Sequence, residues 1–248
     1  MDRSAYDKHL TLEERHFWRV TKRRLVRELI ERHGGTSRPL RLCDIGGASS
    51  LLARDLGTMA EVIVVEPDPA MVELARERLG LDARVGALPG PLPEQPEYDV
   101  VTLLDVLEHL DDDFGALEAI RSQLRPGGIL VLTVPALPEL WSSHDEILHH
   151  RRRYRRADVV RLLERAGFEV ERATYWTGLL LGLVAAQRWY WRRQGGPPTY
   201  RVEVPSAPVN WALSQAMNVE RRLLSHVDLP IGSSLAIVAR VPASRAAA

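Results

Sequence analysis

Three stretches of the chain hold the residues best suited to chemistry. The first is Asp44-Ile45-Gly46-Gly47, a carboxylate followed closely by paired glycines. Such glycines let backbone approach a ligand and leave amide groups free at the start of a following helix. The second is Glu66, placed where a strand should end and where a carboxylate can accept both hydroxyls of a ribose. Alone, the glycines make a tight turn and Glu66 is a surface acid before Pro67; at the tips of adjacent strands, the pair favours a nucleoside site. The third stretch is a rim of histidines and acids, comprising His109 and the segment from Trp141 to Tyr154.

The kind of nucleoside follows from what is missing. Gly46-Gly47-Ala48-Ser49-Ser50-Leu51 lacks two glycines of the dinucleotide fingerprint G-x-G-x-x-G, and Asp44 precedes it. A pyrophosphate would be repelled by that carboxylate. A cationic ligand would be attracted, and S-adenosylmethionine carries both an ammonium and a sulfonium.

On the rim, His109 follows the fourth expected strand, and an imidazole there has an ordinary pKa suited to taking a proton near neutrality. The competing reading is a histidine that caps a helix or orders the loop above Asp111. Asp111, Asp112 and Asp113 read as helix N-cap residues rather than metal ligands. His144 and Asp145 are the next catalytic candidates. His144, His149 and His150 with nearby acids invite a metal reading, but no H-E-x-x-H pattern is present and an anionic substrate would account for the arginines, so no metal is expected. Arg151, Arg152, Arg153, Arg155 and Arg156 read as a solvated face leading into a helix.

These residues need a scaffold, and hydrophobic periodicity supplies one. Phe17, Val20, Leu25, Leu29 and Ile30 mark an amphipathic helix over 11–33 that stops at Gly34-Gly35. Strand and helix then alternate: strands at 40–45, 61–65, 83–85, 98–104 and 129–134, with helices at 51–56, 69–79 and 114–124. A Pro126-Gly127-Gly128 turn precedes the fifth strand. Strands this continuously apolar are buried on both faces, as in a parallel sheet. Beyond them come a helix at 158–166, a strand at 168–175, helices near 178–193 and 210–226 separated by the Gly-Gly-Pro-Pro break at 195–198, and a final strand at 235–241. The tail 243–248 reads as frayed.

The chain has 248 residues with 33 basic and 33 acidic side chains, so no global field gathers nucleic acid, and none is expected as a partner. Arginine supplies nearly all the positive charge; Lys8 and Lys22 are the lysines. One cysteine, Cys43, excludes an internal disulfide, and its place inside a strand makes it a core residue. The charged first 35 residues lack the apolar run of a signal peptide, so a cytoplasmic location is expected. The apolar stretch 178–186 is far shorter than the roughly 20 residues that span a bilayer. Tyr175 to Trp191 is rich in aromatics and leucines and reads as a core-facing helix. The alternatives are an apolar cap over a greasy acceptor or a peripheral patch touching lipid.

The sequence resembles the class I S-adenosylmethionine-dependent methyltransferases from Leu40 to about Phe168, with Arg125-Pro126-Gly127-Gly128-Ile129-Leu130 at that family's "LkPGG" turn. More narrowly it is similar to a bacterial branch marked by Glu14-Arg15-His16-Phe17-Trp18, by Asp105 to Asp113 and by Val134 to Tyr154. The resemblance implies an α/β fold: a doubly wound, seven-stranded, mostly parallel sheet whose last strand runs antiparallel beside the fifth. It implies one methyltransferase domain over 1–248, with an N-terminal helical cap at 1–35, a cofactor-binding core at 36–176, a helical insertion at 177–232 and the last strand at 233–242. It further implies that Asp44 and Gly46, in a turn with Gly47 and Ala48, hold the methionine portion of S-adenosylmethionine. Glu66, beside Pro67, would bind the ribose, Ala87 and Leu88 would flank the adenine, and Leu104 or Asp105 would border the methyl donor.

Two positions depart from the family pattern. Ala48 stands where a second glycine is usual, adding a methyl group beside the ligand, and Gly86 replaces the acid that contacts adenine. The expected reaction is O-, N- or C-methylation of a small, apolar or lipid-linked metabolite. The competing functions are a non-catalytic S-adenosylmethionine-binding module, suggested by Ala48 and Ser50, and a nicotinamide oxidoreductase, disfavoured by the missing glycines.

Overall fold

The computed structural model describes residues 3–36, 39–90, 97–193 and 202–243. The break at 195–198 and tail residues 244–248 lie outside the described residues. Two helices, α1 (Arg3–Arg15) and α2 (Phe17–His33), lead into the alternating core. The core runs β1 (Leu40–Ile45), α3 (Leu52–Leu56), β2 (Ala60–Glu66), α4 (Pro69–Leu79), β3 (Asp82–Val85), β4 (Tyr98–Leu104), α5 (Asp113–Gln123) and β5 (Leu124–Pro135). It continues with α6 (Ser143–Ile147), α7 (Arg156–Arg165), β6 (Glu169–Trp176), α8 (Leu181–Arg193), α9 (Ala207–Leu224) and β7 (Ser234–Arg240).

The seven strands form one sheet in the order β3-β2-β1-β4-β5-β7-β6. β7 runs antiparallel to both β5 and β6, and the other pairings are parallel. The expected architecture and the place of the last strand are therefore found. Because successive strand residues point to opposite faces, Leu42 and Val100 join Leu25, Val26, Leu29 and Ile30 of α2 on one side, while Cys43 and Val101 join Leu117 of α5 and Val159 of α7 on the other. Each such fully buried aliphatic side chain stabilises the fold by about 1.5–3 kcal/mol relative to exposure.

Local chemistry sets the helix ends. Asp68 caps α4 by accepting from the Ala70 amide at 2.9 Å, Pro69 fixes its first turn, and Gly80 ends it in the left-handed region at φ 64°. The expected single helix over 11–33 is two helices instead. His16 adopts an extended ψ of 123° and its Nδ1 accepts from the Trp18 amide, capping α2 and bending the chain away from α1. Hydrophobic periodicity continues across such a cap and so cannot reveal it. β5 also begins earlier than expected, because the Pro126-Gly127-Gly128 turn is accommodated within the strand, opposite an irregularity between Tyr98 and Val100.

Candidate active site

Strand order reverses between β1 and β4, and a crevice beyond the carboxyl ends of those strands is where an open α/β sheet binds ligands. Asp44 sits in β1 directly beside Thr102 of β4. Its carboxylate is fully buried; Oδ1 accepts from Thr102 Oγ1 at 2.7 Å, and Oδ2 has no hydrogen-bond partner among the described residues. Burial lifts its pKa to about 6 against the pull of the Thr102 hydrogen bond. A half-satisfied carboxylate in this position is costly unless a donor or cation completes it.

The turn that follows is built around that carboxylate. Gly46 has φ 77°, its amide donates to Val65 O at 2.7 Å, and a Cβ there would lie 2.7 Å from Val106 Cγ2. A Cβ on Gly47 would collide with the Asp44 carboxylate. Both glycines are therefore required by space. Ala48 differs from expectation: its methyl group is fully buried in a cluster with Tyr6, Val64, Val72 and Ala75, and the Tyr6 hydroxyl donates to its carbonyl at 2.6 Å. The extra methyl group thus packs into the core, where α1 and α4 receive it. Ser50, the other unusual residue, accepts from the Leu52 amide at 3.1 Å at the start of α3.

Glu66 ends β2 on the same edge, half-buried, its pKa raised by burial and its Oε1 accepting from the Asp68 amide at 3.4 Å. Pro67 and Ala87 are exposed, whereas Leu88 is half-buried against the main core. Gly86, which replaces the family's acid, donates its amide to Glu66 O at 3.1 Å and so ties the tips of β2 and β3 together.

Leu104 ends β4, and Asp105 after it takes a left-handed φ of 56°. Asp105 Oδ2 accepts from Lys22 Nζ at 2.8 Å, and its Oδ1 accepts from Thr133 Oγ1 at 3.1 Å. Burial alone would raise the Asp105 pKa, but the Lys22 charge and these hydrogen bonds hold it below the carboxylate range. Lys22 comes from α2, with its ammonium 4.9 Å from the Trp18 ring, and Trp18 stacks on Trp176 at 5.1 Å. α2 is thereby tied to the tip of β4 and to the end of β6.

On the rim beyond β4, His109 closes a short helical turn, half-buried, with its pKa lowered first by burial and then by His150. The two imidazoles meet edge to face at 4.8 Å. Between them and the sheet lies Glu108, 1% exposed, its pKa raised well above the carboxylate range by burial and by Asp105.

Asp145 does not fit the catalytic role expected of it. It is wholly buried; Oδ1 accepts from Arg153 Nε at 2.7 Å and pairs with His150 Nδ1 at 3.0 Å, while Oδ2 accepts from the Ser142 amide at 3.0 Å. Burial opposes ionisation, yet these partners hold its pKa far below the usual range. A carboxylate so saturated positions others and is no proton acceptor. His144 stacks on Trp191 at 5.7 Å, and burial followed by the Arg188 charge lowers its pKa to about 3, which keeps it neutral.

In the arginine run, Arg151, Arg155 and Arg156 are exposed as expected, and two positions are corrected. Arg153 is buried and additionally donates to Ala136 O, while Arg152 binds Asp113 and the carbonyls of Leu110 and Asp111. These arginines tie the rim to the loop after β4. Asp112 does cap α5, accepting from the Gly115 amide, and Asp113 also receives the Tyr154 hydroxyl.

Of the segment Tyr175 to Trp191, Tyr175 and Trp176 are core residues at the end of β6, whereas no described residue of α8 is buried, so the core-facing reading is overturned for the helix. Arg188 donates to Ser142 Oγ at 2.9 Å, and with Trp191 it fastens α8 over α6. Leu183, Trp189 and Tyr190 are more than half exposed. Among the described residues no helix is long and apolar enough to cross a membrane. A cavity of about 270 Å³ at the amino ends of β2 and β3, lined by Ala60, Leu79 and Asp82, contains none of the site residues.

Residues 15–173 match the methyltransferase domain family, a stretch covering more than half of the chain. The chain belongs to that family. A ubiquinone biosynthesis O-methyltransferase of Xanthomonas campestris is 32% identical over 100 residues, which are 38% of this chain and 42% of the relative. A probable S-adenosylmethionine-dependent methyltransferase of Mycolicibacterium smegmatis is 32% identical over 164 residues, 64% of this chain and 62% of the relative. The chain thus matches less than two thirds of either relative. Among solved structures, the putative methyltransferase of Haloferax volcanii in complex with the Trm112 activator superposes with a TM-score of 0.59 at 19% identity, covering 96% of this chain and 95% of that one. Phosphoethanolamine N-methyltransferase 2 of Haemonchus contortus, solved with S-adenosyl-L-methionine, gives 0.56 at 16% identity over 87% and 51% of the two chains. Identities this low show a shared fold.

Within this methyltransferase domain, sequence reasoning passed over Thr102, Lys22, Glu108 and Arg153 as individual site residues. Lys22 carried little signal, because the chain's other lysine, Lys8, is exposed and the sequence alone does not tell the two apart. Thr102 carried none, since only strand pairing sets it beside Asp44.

Proposed function

We propose that the chain is an S-adenosylmethionine-dependent methyltransferase acting on a small, apolar or lipid-linked metabolite. The carrying observation is Asp44: a fully buried carboxylate at the topological switch point with one oxygen unpartnered among the described residues, in a turn whose Gly46 and Gly47 let the backbone close around that carboxylate. Those residues fit a cationic amino acid portion, and Glu66 at the neighbouring strand tip fits ribose hydroxyls. Asp44, Gly46 and Gly47 would hold the methionine end and Glu66 with Pro67 the ribose, while Ala87 and Leu88 would line the adenine and Leu104 and Asp105 border the reacting edge. When bound, the cofactor supplies an electrophilic methyl group whose departure needs no proton.

The protein's tasks are therefore alignment, exclusion of water and, for an acceptor that begins protonated, disposal of one proton. His109 serves the last task from the rim, and burial keeps its imidazole neutral at pH 7. His144 and Asp145 support it indirectly, through α8 and through His150. We infer that the division into a helical cap at 1–35, a core at 36–176 and an insertion at 177–232 is functional, with α8 covering the acceptor side. Its exposed Leu183, Trp189 and Tyr190 suit an apolar acceptor or the edge of a lipid surface. The reading as an inert binding module loses its motive, since Ala48 and Ser50 perform packing and capping.

S-adenosylhomocysteine at 100 times its Kd should stabilise the protein by about 2.7 kcal/mol, raising its melting temperature, and Glu66→Ala should remove the rise. A wild-type melting curve unmoved by millimolar ligand would refute the proposal. His109→Ala should lower turnover by about 10²–10⁴ with donor affinity intact, and unchanged turnover with a protonated acceptor would remove His109 from the reaction.

A further inference from the structure

Glu108, His109 and His150 converge, with one potential ligand atom from each lying within 4.8 Å of the others. Some point between three such atoms is then within about 2.8 Å of all of them, close enough that small side-chain rotations reach the roughly 2.0–2.2 Å of nitrogen and carboxylate ligands. Glu108 is 1% exposed and its Oε2 has no hydrogen-bond partner among the described residues. A buried carboxylate left in that state lacks a counterpart. Its Oε1 stands 4.0 Å from His150 Nε2, a gap too wide for a hydrogen bond between them.

His150 is also prepared as a ligand. Its Nδ1 faces Asp145 Oδ1 at 3.0 Å, where a carboxylate only accepts, so Nδ1 carries a proton and Nε2 is the nitrogen left facing Glu108 as a potential ligand atom. A carboxylate behind an imidazole is the usual device for fixing the tautomer of a metal-binding histidine. Asp145 is in turn neutralised by Arg153 at 2.7 Å, so these charges balance behind the cluster. Asp105 adds negative potential at Glu108. His109, the half-buried member, offers the way in from solvent.

We propose that Glu108, His109 and His150 form a site for one divalent transition ion. Two imidazoles and one carboxylate select borderline ions such as Zn²⁺, Co²⁺ or Fe²⁺ over Mg²⁺ and Ca²⁺. Three protein ligands leave coordination positions open, the arrangement of catalytic rather than structural sites. Only the use of the site rests on the proposed methyl transfer. There the ion would bind the acceptor's oxygen and acidify its hydroxyl; with the ion bound His109 is a ligand, and the proton that the metal-free site would pass to its imidazole leaves to solvent instead. That use narrows the acceptor to a compound methylated on a hydroxyl oxygen.

The test is titration of the metal-stripped full chain with Co²⁺, followed by visible ligand-field absorption and calorimetry, with S-adenosylhomocysteine melting shifts measured on the same samples. One equivalent should bind with a ligand-field band, and Glu108→Gln, which preserves shape, should weaken binding at least tenfold, as should His109→Ala. Both variants should keep the wild-type melting temperature within a few degrees and retain the S-adenosylhomocysteine shift. No saturable binding, or binding indifferent to both substitutions, overturns the metal site. Loss of the S-adenosylhomocysteine shift in the wild type, with cobalt binding intact, overturns the methyltransferase reading and leaves the metal site standing.

Discussion

Asp44 and Asp145 are both buried carboxylates near the carboxyl edge of one sheet, yet they titrate in opposite directions. Asp44 keeps one oxygen bare and is pushed up to about 6, whereas Asp145 is held far below its ordinary value by His150 and Arg153. The half of the edge around β1 and β4 thus retains an unmet electrostatic demand, which a cationic ligand can meet. The half around α6 meets its demand internally and serves as a rigid support. An unsatisfied buried charge points to a ligand and a saturated one to architecture.

The largest expected effect lies on the saturated side. Asp145→Asn should cost about 3–5 kcal/mol in chemical denaturation, because it leaves Arg153 buried without its counter-charge. A loss below 1 kcal/mol would break the contrast. Asp145 is also stabilising only while ionised: its folded pKa lies below the ordinary 3.8, so its contribution is present above that value and fades as pH falls through the folded pKa.

Asp44 should behave in the opposite sense. Its folded pKa of about 6 exceeds the ordinary 3.8, so its contribution to stability is complete below about pH 4 and lost as pH rises through 6. Asp44→Asn should therefore stabilise the ligand-free protein at pH 8 by about 1–2 kcal/mol while weakening S-adenosylhomocysteine binding. In the wild type, calorimetry should show that affinity falling about tenfold per pH unit below 6 and level above it. A flat profile between pH 4.5 and 7 would remove Asp44 from the site.

The smallest effect belongs to Lys22→Met, which leaves Asp105 unpaired but about a quarter exposed, so water replaces much of the lost partner. Thr133 still donates to Asp105, so a cost of about 0.5–1 kcal/mol is expected, seen as a fall of roughly 1–4 °C in melting temperature. A fall as large as that of Asp145→Asn would show that partial exposure does not separate the two cases.

Much of this was legible from local pattern. Strand 40–45 and helix 69–79 were readable to the residue because apolar runs, the Asp68 cap and Gly80 are local signals. The positions of Asp44, Gly46 and Glu66 at strand tips were legible for the same reason, since the strand pattern locates strand tips. The rim was not, because its partners are distant in sequence. Asp145 looks like a catalytic candidate until Arg153 and Ser142 close around it, and Arg152 looks as solvated as its exposed neighbours Arg151, Arg155 and Arg156 until the carbonyls of Leu110 and Asp111 are found against it. Likewise α8 has a core-like composition but lies on the surface.

The amino-acid order by itself determined the alternation of strands and helices, the doubly wound sheet and the carboxylate and glycines at its switch point, because periodicity and turn chemistry act over a few residues. Tertiary structure alone decided which buried charges find partners. A carboxylate's pKa depends on groups brought to within a few ångströms from elsewhere in the chain, as Thr102 is brought to Asp44, Lys22 to Asp105 and His150 to Glu108.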